Sequence, residues 1–156
     1  MMKANMGCGD DCWGEIRVDV YKGSANVLAD IQFLPFRKKV FDDVRSISVL
    51  EHIGCWIQGL NELLRVTKTR LILEVPVNSD IRLTDPWRIL FPSPKNIRLF
   101  LSIPQRARET LWQLNPEIIL DYIMKTGFNC KNEKIFQVYA GMPSRCWRIT
   151  AWRIRD

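Results

Sequence analysis

The chain lacks the cysteine and histidine patterns that mark metal-binding and disulfide-rich proteins. It has one histidine and five cysteines, and no two cysteines form a CxxC pair. A zinc ribbon requires such pairs, and a secreted disulfide framework is expected to use an even number of cysteines. The sequence therefore predicts no metal site, reduced thiols and a cytoplasmic location.

Long apolar runs are absent as well. No hydrophobic stretch approaches the roughly 18 residues that a membrane-spanning helix requires. The first residues do not combine a basic segment with an apolar one, as a secretory signal does. We therefore expect neither a membrane span nor a signal peptide. The net charge of +6 would favour acidic partners such as nucleic acid, although a soluble basic surface explains it more simply.

The order of hydrophobic patterns in the 156 residues is typical of a single α/β domain. Short strand-like segments are followed by a helical period, a continuous apolar strand, a second helix and a terminal pair of strands. We therefore predict a mostly parallel sheet that ends in an antiparallel hairpin. In order, the segments are MMKANM, EIRVDV, ANVLAD and VFDDVRSISVL (strands), EHIGCWIQGLNELLRV (helix), TRLILEVP (strand), NPEIILDYIMKTGF (helix), CKNEKIFQVYA and RCWRITAWRIR (strands).

Small and acidic residues follow the first three predicted strands. Gly7 and Gly9 come after the first, where missing Cβ atoms would let a ligand approach the backbone. Asp19 ends the second strand, where a carboxylate can accept hydrogen bonds from ribose hydroxyls. Asp30 ends the third, where a carboxylate can accept from an adenine amino group. In a parallel sheet these loops meet at one edge, to which the fourth strand adds residues 48–52.

The ordered series NMGCG, VDV, ADIQFLPF, VFDDVRSISVLEHI, LNELLRV and LILEVP resembles class I S-adenosylmethionine-dependent methyltransferases, most closely their type 11 branch. The resemblance covers residues 5–76, and NPEIILDYIMKTGF is similar to a late helix of the family. It implies a Rossmann-like α/β fold and S-adenosylmethionine as the cofactor. It also implies transfer of a methyl group to an acceptor, expected to be a small molecule, by in-line displacement.

The resemblance further implies a set of cofactor-binding residues. The glycine loop would approach the methionine end, and Asp19 would hold the ribose. Asp30 and Ile31 would flank the adenine. Ser48 and Val49 would line the methionyl side. The expected cofactor-binding residues are Asn5, Gly7, Cys8, Gly9, Asp19, Asp30, Ile31, Ser48 and Val49.

One of these positions departs from the family pattern. Asn5 stands where the family usually has an acid, just before the glycine loop. An amide can accept a hydrogen bond but cannot neutralise the ammonium group of the cofactor. We therefore expect weaker cofactor binding without its complete loss.

His52 is the candidate catalytic residue, because it is the only histidine and follows the fourth strand near the expected methyl group. A base is needed only if the acceptor begins protonated. The alternative is that His52 packs against or caps the following helix, and Glu51 is expected to be structural. Trp13 also has two interpretations: it covers the cofactor or its cation, or it shields a shortened loop.

The first two crossovers are too short for helices. A parallel crossover usually takes a dozen residues or more. Residues 9–15 span at most about 20 Å when fully extended. They must run back along a strand of about five residues, which is roughly 16 Å long. We therefore predict extended straps, here and between Asp19 and Asn26. An antiparallel second strand would fit the spacing more easily, but it would carry Asp19 away from Gly7.

The segment at residues 77–114 is irregular and interrupted by prolines. Its basic and apolar part, residues 87–114, is expected to cover apolar sheet surface that the missing helices would leave bare. It would act as a lid, a substrate-binding element or a dimerisation surface within a single domain of residues 1–156.

Two other functions remain open. The arginine–tryptophan alternation of RCWRITAWRIR can stack on and contact nucleic acid, and with the basic charge it would favour an RNA- or protein-directed methyltransferase. The same alternation also arises in a strand with one buried and one solvated face. The shortened cofactor half and Asn5 would instead fit a non-catalytic cofactor-binding or interaction subunit.

Overall fold

The computed structural model describes residues 1–76, 114–139 and 142–154. Within them, seven strands form one sheet in the order β3-β2-β1-β4-β5-β7-β6, and two α-helices pack against it. The strands are β1 (Lys3–Met6), β2 (Ile16–Asp19), β3 (Val27–Leu28), β4 (Phe41–Ile47), β5 (Thr67–Pro76), β6 (Phe128–Tyr139) and β7 (Met142–Arg153), and the helices are α1 (Trp56–Val66) and α2 (Pro116–Lys125).

The direction of the strands confirms the predicted Rossmann-like sheet. β1 is parallel to β2 and β4, β2 is parallel to β3, and β4 is parallel to β5. β7 is antiparallel to both β5 and β6. Residues 7–15 and 20–26 contain no helix. The first two crossovers are therefore extended straps, and the second strand is parallel, as the sequence predicts.

Polar contacts fasten the two straps to β2 and to each other. Arg17 Nε donates to the carbonyl oxygen of Ser24 at 2.7 Å, and Nη1 donates to that of Gly14 at 3.1 Å, so one guanidinium holds both straps. Ser24 Oγ lies 2.9 Å from the carbonyl oxygens of Gly9 and Asp11 in the other strap. These contacts satisfy backbone groups that a crossover helix would pair internally.

The apolar core lies on one face of the sheet. Leu60 and Leu63 of α1 and Ile119 and Ile123 of α2 are fully buried in a single cluster with strand residues. Because paired residues share a face and successive residues alternate between faces, both helices lie on the same side. The strand residues that join the cluster from this side are Ala4, Met6, Val18, Val44, Leu71, Leu73, Val75, Ile149 and Ala151.

The opposite face carries mostly charged and polar side chains. Arg70 donates to both oxygens of Asp43 at 2.8 Å, and Arg148 Nε donates to Glu74 at 2.7 Å. This finding corrects the expectation of bare apolar surface where crossover helices are missing. The strand residues that share this face include Lys3, Asn5, Arg17, Asp43, Arg45, Ile47, Arg70, Ile72, Glu74, Arg148, Thr150 and Trp152.

Helix α2 begins and ends as predicted. Asn115 accepts a hydrogen bond from a backbone N–H of the first turn, Pro116 is the first helical residue, and Gly127 has φ of +83° just beyond the end. Two large apolar residues of the helices are exposed: Ile118 of α2 by 57% and Ile57 of α1 by 42%. One step along a helix turns a side chain by about 100°, which carries Ile118 away from the buried stripe of Ile119 and Ile123.

The insertion predicted at residues 77–114 lies outside the described residues, apart from Leu114, which is buried in the core cluster. Its role as a lid, substrate-binding or dimerisation segment stays a prediction. In the part of the chain that the structure describes, no helix is long and apolar enough to cross a lipid bilayer.

Candidate functional site

The turn after β1 is bound to the end of β2. The backbone N–H groups of Gly7 and Cys8 both donate to the carbonyl oxygen of Val18, at 2.8 and 3.0 Å. The next N–H along the chain, that of Gly9, donates to Asp19 Oδ2 at 2.8 Å. Four of the predicted cofactor-binding residues are therefore adjacent at the carboxyl edge of the parallel strands.

Gly7 also brings the turn after β1 against the loop after β4. Its φ is +75°, and a Cβ atom built on it would lie 2.3 Å from Cγ2 of Val49. Only a residue without a side chain allows this approach. Gly9 differs, since its φ is +52° but a Cβ atom there would have nothing within 4 Å among the described residues. As far as these residues show, a ligand has room above Gly9.

Asp19 keeps hydrogen-bonding capacity for a ligand. Its Oδ2 accepts from Gly9 and its Oδ1 accepts from the N–H of Tyr21 at 3.0 Å. Each carboxylate oxygen has two acceptor positions, and the residue is half-buried rather than enclosed. A pair of hydroxyl groups can therefore still be accepted after both backbone contacts are made.

Asp30 and Ile31 follow β3 in different environments. The Asp30 carboxylate accepts from the backbone N–H of Gln32 at 2.9 Å and from its side-chain amide at 3.2 Å, while the Ile31 side chain is buried in the core. Gln32 Oε1 accepts from the N–H of Cys55, just before α1, at 2.8 Å. Gln32 thus orients Asp30.

The loop after β4 begins with a residue in an unusual conformation. Ser48 has φ of +52°, a left-handed value that few residues other than glycine adopt. Its N–H donates to the carbonyl oxygen of Glu74 at 2.9 Å, which fixes the loop to β5. A 3₁₀ turn at Leu50–His52 follows directly. Backbone strain of this kind is concentrated at ligand-binding sites.

Glu51 in this turn is a buried carboxyl group beside the candidate base. Only 2% of the residue is exposed, and burial raises the pKa of Glu51 to about 8. Its Oε1 lies 3.7 Å from Nε2 of His52, beyond hydrogen-bonding distance, and its Oε2 has no partner among the described residues. The group is therefore mainly neutral at pH 7.

Asn5 is buried in β1, just before the glycine turn. Its Nδ2 donates to Asp11 Oδ2 at 3.2 Å, whereas its Oδ1 has no partner in the described part of the chain. Asp11 also lies 3.5 Å from Arg45, and the Arg45 guanidinium lies 5.7 Å from the centroid of the Trp13 ring. In the structure, Trp13 therefore contacts an arginine of the sheet.

The thiols and the other possible metal ligands are dispersed. All five cysteines are free, and burial raises the pKa of the Cys8 thiol. Within residues 1–76, 114–139 and 142–154, no three His, Cys, Asp or Glu side chains are grouped to hold a metal ion.

Two arginines of the predicted nucleic-acid strand have partners within the fold. Arg148 pairs with Glu74 on the polar face of the sheet. Arg153 Nη2 donates to the carbonyl oxygens of Leu64 and Thr67, at 3.1 and 3.0 Å, where α1 meets β5. These two cations therefore stabilise the sheet and the end of α1.

Solved structures share this architecture along nearly the whole chain. A SAM-dependent methyltransferase of Thermotoga maritima matches with a TM-score of 0.65 and 15% identity, over 98% of this chain and 82% of its own. Magnesium protoporphyrin IX methyltransferase of Synechocystis, solved with bound SAH, matches with a TM-score of 0.61 and 18% identity, over 99% and 74%. The [4+2]-cyclase SpnF matches with a TM-score of 0.58 and 13% identity, over 99% and 75%.

No protein-family profile matches the sequence, and no curated protein does. Likeness at these identities establishes the architecture, and the SpnF match illustrates that one architecture hosts different reactions. The chain has the fold of the class I S-adenosylmethionine-dependent methyltransferases.

Proposed function

We propose that this protein binds S-adenosylmethionine at the carboxyl edge of its sheet and transfers the methyl group to a small-molecule acceptor. The observation that carries the proposal is the convergence of the Gly7–Gly9 turn, Asp19 and Val49 at that edge. These residues come from three strands that are separated in sequence, and they combine a carboxylate with a turn that has no side chain at Gly7 and Gly9.

The chemistry of the converging groups fits this cofactor. Asp19 retains acceptor capacity for a ribose, and the open space over Gly9 allows a ligand to approach the backbone. The Oδ1 atom of Asn5 is a buried acceptor without a partner among the described residues. Such an atom is costly to leave unpaired, and the ammonium group at the methionyl end would be a suitable donor.

When bound, S-adenosylmethionine supplies an already activated sulfonium methyl group. The protein then has to position the acceptor in line with that methyl group and to exclude water. We assign the acceptor side to the 3₁₀ turn after β4, where His52 would accept a proton from an acceptor that begins protonated. Glu51 is buried beside it and is mainly neutral at pH 7.

The first experiment is titration calorimetry of the chain with S-adenosylmethionine and S-adenosylhomocysteine. We expect micromolar binding that Asp19→Ala and Asp30→Ala each abolish. Asp121→Ala removes an exposed ion pair with Lys125 on α2 and is the matched control, which should bind as the wild type does. Absence of binding to the wild-type protein would contradict every methyltransferase assignment.

A second measurement separates the three candidate functions, which are a small-molecule methyltransferase, an RNA-directed methyltransferase and a non-catalytic cofactor-binding subunit. Wild-type protein that binds the cofactor is incubated with it and with a small-molecule extract, and S-adenosylhomocysteine production is followed. Production with the extract supports the proposal. Binding without production favours a non-catalytic subunit, and steeply salt-dependent binding to RNA favours an RNA-directed enzyme.

A further inference from the structure

We propose that Asp11 and Arg45 bind the amino-acid end of S-adenosylmethionine, with Asp11 supplying the negative charge that Asn5 lacks. This inference rests on the proposed function and identifies the residues that would bind the charged groups of the cofactor. Neither residue is among the cofactor-binding positions that the sequence predicts. The strap that replaces the first crossover helix places Asp11 beside Asn5, and the pairing of β1 with β4 places Arg45 there.

The strap turns back so that the Asp11 carboxylate meets β1. The N–H of Asp11 donates to the carbonyl oxygen of Cys8 at 2.8 Å, which closes a tight turn directly after the glycine loop. Asp11 Oδ2 then lies 3.2 Å from Nδ2 of Asn5, and Oδ1 accepts from the N–H of Trp13 at 3.0 Å. The carboxylate is therefore fixed next to the buried amide.

Arg45 reaches the same place from β4. It pairs in register with Asn5 across the β1–β4 ladder, so the two side chains share a face of the sheet. Its Nη1 lies 3.5 Å from Asp11 Oδ2, and the Arg45 and Asp11 side chains are 30% and 45% exposed. A half-exposed ion pair contributes little net stabilisation, so a ligand can exchange into it at low cost.

The ligand end that fits this pair is a zwitterion. An α-ammonium group can donate to the Asp11 carboxylate and to Asn5 Oδ1, which has no partner among the residues that the structure describes. An α-carboxylate can accept two parallel hydrogen bonds from the Arg45 guanidinium. The methionyl end of the cofactor carries both groups on one carbon atom. A single exposed acid or base would not provide this match.

Calorimetry with three ligands tests the two contacts separately. S-Adenosylhomocysteine carries both charged groups, decarboxylated S-adenosylmethionine lacks the carboxylate, and 5′-methylthioadenosine lacks both. We expect Asp11→Asn to weaken the first two ligands about tenfold and Arg45→Gln to weaken only the first by a similar factor, about 1.4 kcal/mol each. Neither substitution should alter the affinity for 5′-methylthioadenosine.

Exchanging the amide of Asn5 and the carboxylate of Asp11 gives a variant that should compensate for the loss of affinity. The double variant Asn5→Asp with Asp11→Asn moves the carboxylate from the strap to β1 and keeps an amide beside it. It should recover most of the affinity for S-adenosylhomocysteine that Asp11→Asn loses. Circular dichroism and urea unfolding of each variant test whether the fold is retained.

The outcomes distinguish this inference from the proposed function. If the wild-type protein binds none of the three ligands, the proposed function fails and this inference with it. If it binds them and Asp11→Asn binds S-adenosylhomocysteine equally well, the inference alone is overturned. Equal weakening of 5′-methylthioadenosine by Asp11→Asn also overturns it, because the carboxylate would then only maintain the shape of the loop.

Discussion

The backbone N–H of Gly9 donates a hydrogen bond of 2.8 Å to the carboxylate of Asp19. This contact joins the turn after β1 to the end of β2 without a crossover helix between them. The carboxylate that is proposed to hold a ribose therefore also holds the loop that the ligand would contact. Loss of this side chain should affect the protein even in the absence of a ligand.

Substitutions at Asp19 should separate these two roles. Asp19→Ala leaves the N–H groups of Gly9 and Tyr21 without their acceptor, so we expect a loss of about 1 kcal/mol in the free energy of unfolding together with loss of cofactor binding. Asp19→Asn keeps one acceptor oxygen and should lose less stability. Urea unfolding and calorimetry measure both quantities. Equal stability of the alanine variant and the wild type would show that the contact is not maintained in solution.

Gly7 and Gly9 should differ sharply in their tolerance of a methyl group. Gly7→Ala places Cβ 2.3 Å from Val49 Cγ2 at φ of +75°, so overpacking of about 1–3 kcal/mol adds to backbone strain of about 1–2 kcal/mol. Gly9→Ala, with open space at φ of +52°, should incur the strain alone. Val49→Ala should partly restore the Gly7→Ala variant. The midpoints of urea unfolding test whether Gly7→Ala is less stable than Gly9→Ala. Equal midpoints for the two variants would refute the close approach of the turn after β1 to the loop after β4.

Arg17 should stabilise both straps through one side chain. Arg17→Met removes its hydrogen bonds to the carbonyl oxygens of Ser24 and Gly14, and we expect a loss of about 2 kcal/mol, since hydrogen bonds of charged groups are stronger than neutral ones. Arg17→Lys keeps the charge but cannot span both carbonyls, so its loss should be intermediate. Arg37→Met, at an exposed arginine, is the control. Hydrogen exchange should accelerate in residues 9–15 and 20–26, and unchanged exchange there would contradict the assignment.

Much of the fold could be predicted because it depends on local patterns. Apolar periodicity predicted the strands and helices, and Asn115, Pro116 and Gly127 defined the limits of α2. The short spacing between Gly9 and Asp19 already required a strap. The polar face was also readable in the alternation of EIRVDV and VFDDVRSI, but apolar surface was assumed there because the missing helices usually cover it.

The positions of the candidate site residues were predictable only where a backbone motif defines them. The sequence placed the glycines, Asp19 and the loop after β4 at one edge, and the sheet places them there too. The contacts of Asp11 with Asn5 and Arg45 could not be predicted, because they depend on how the strap turns back. Long-range polar pairing of this kind has no periodic signal in a single sequence.

Glu51 should make stability depend on pH. Its folded-state pKa is raised by burial from 4.5 to about 8, so between these values the folded protein retains a proton that the unfolded chain has released. Stability should therefore fall as the pH rises through this window, by at most about 1.4 kcal/mol per pH unit from this group. Above pH 8 the contribution becomes constant.

Glu51→Gln removes this titration and keeps the size of the side chain. Relative to the wild type, the variant should gain stability progressively between pH 5 and 8, measured by urea unfolding at each unit of pH. Glu117→Gln, at an exposed position of α2, should show no such gain. Parallel curves of stability against pH for the wild type and Glu51→Gln would mean that the Glu51 carboxyl ionises normally in the folded protein. The assignment of a neutral Glu51 carboxyl beside His52 would then be wrong.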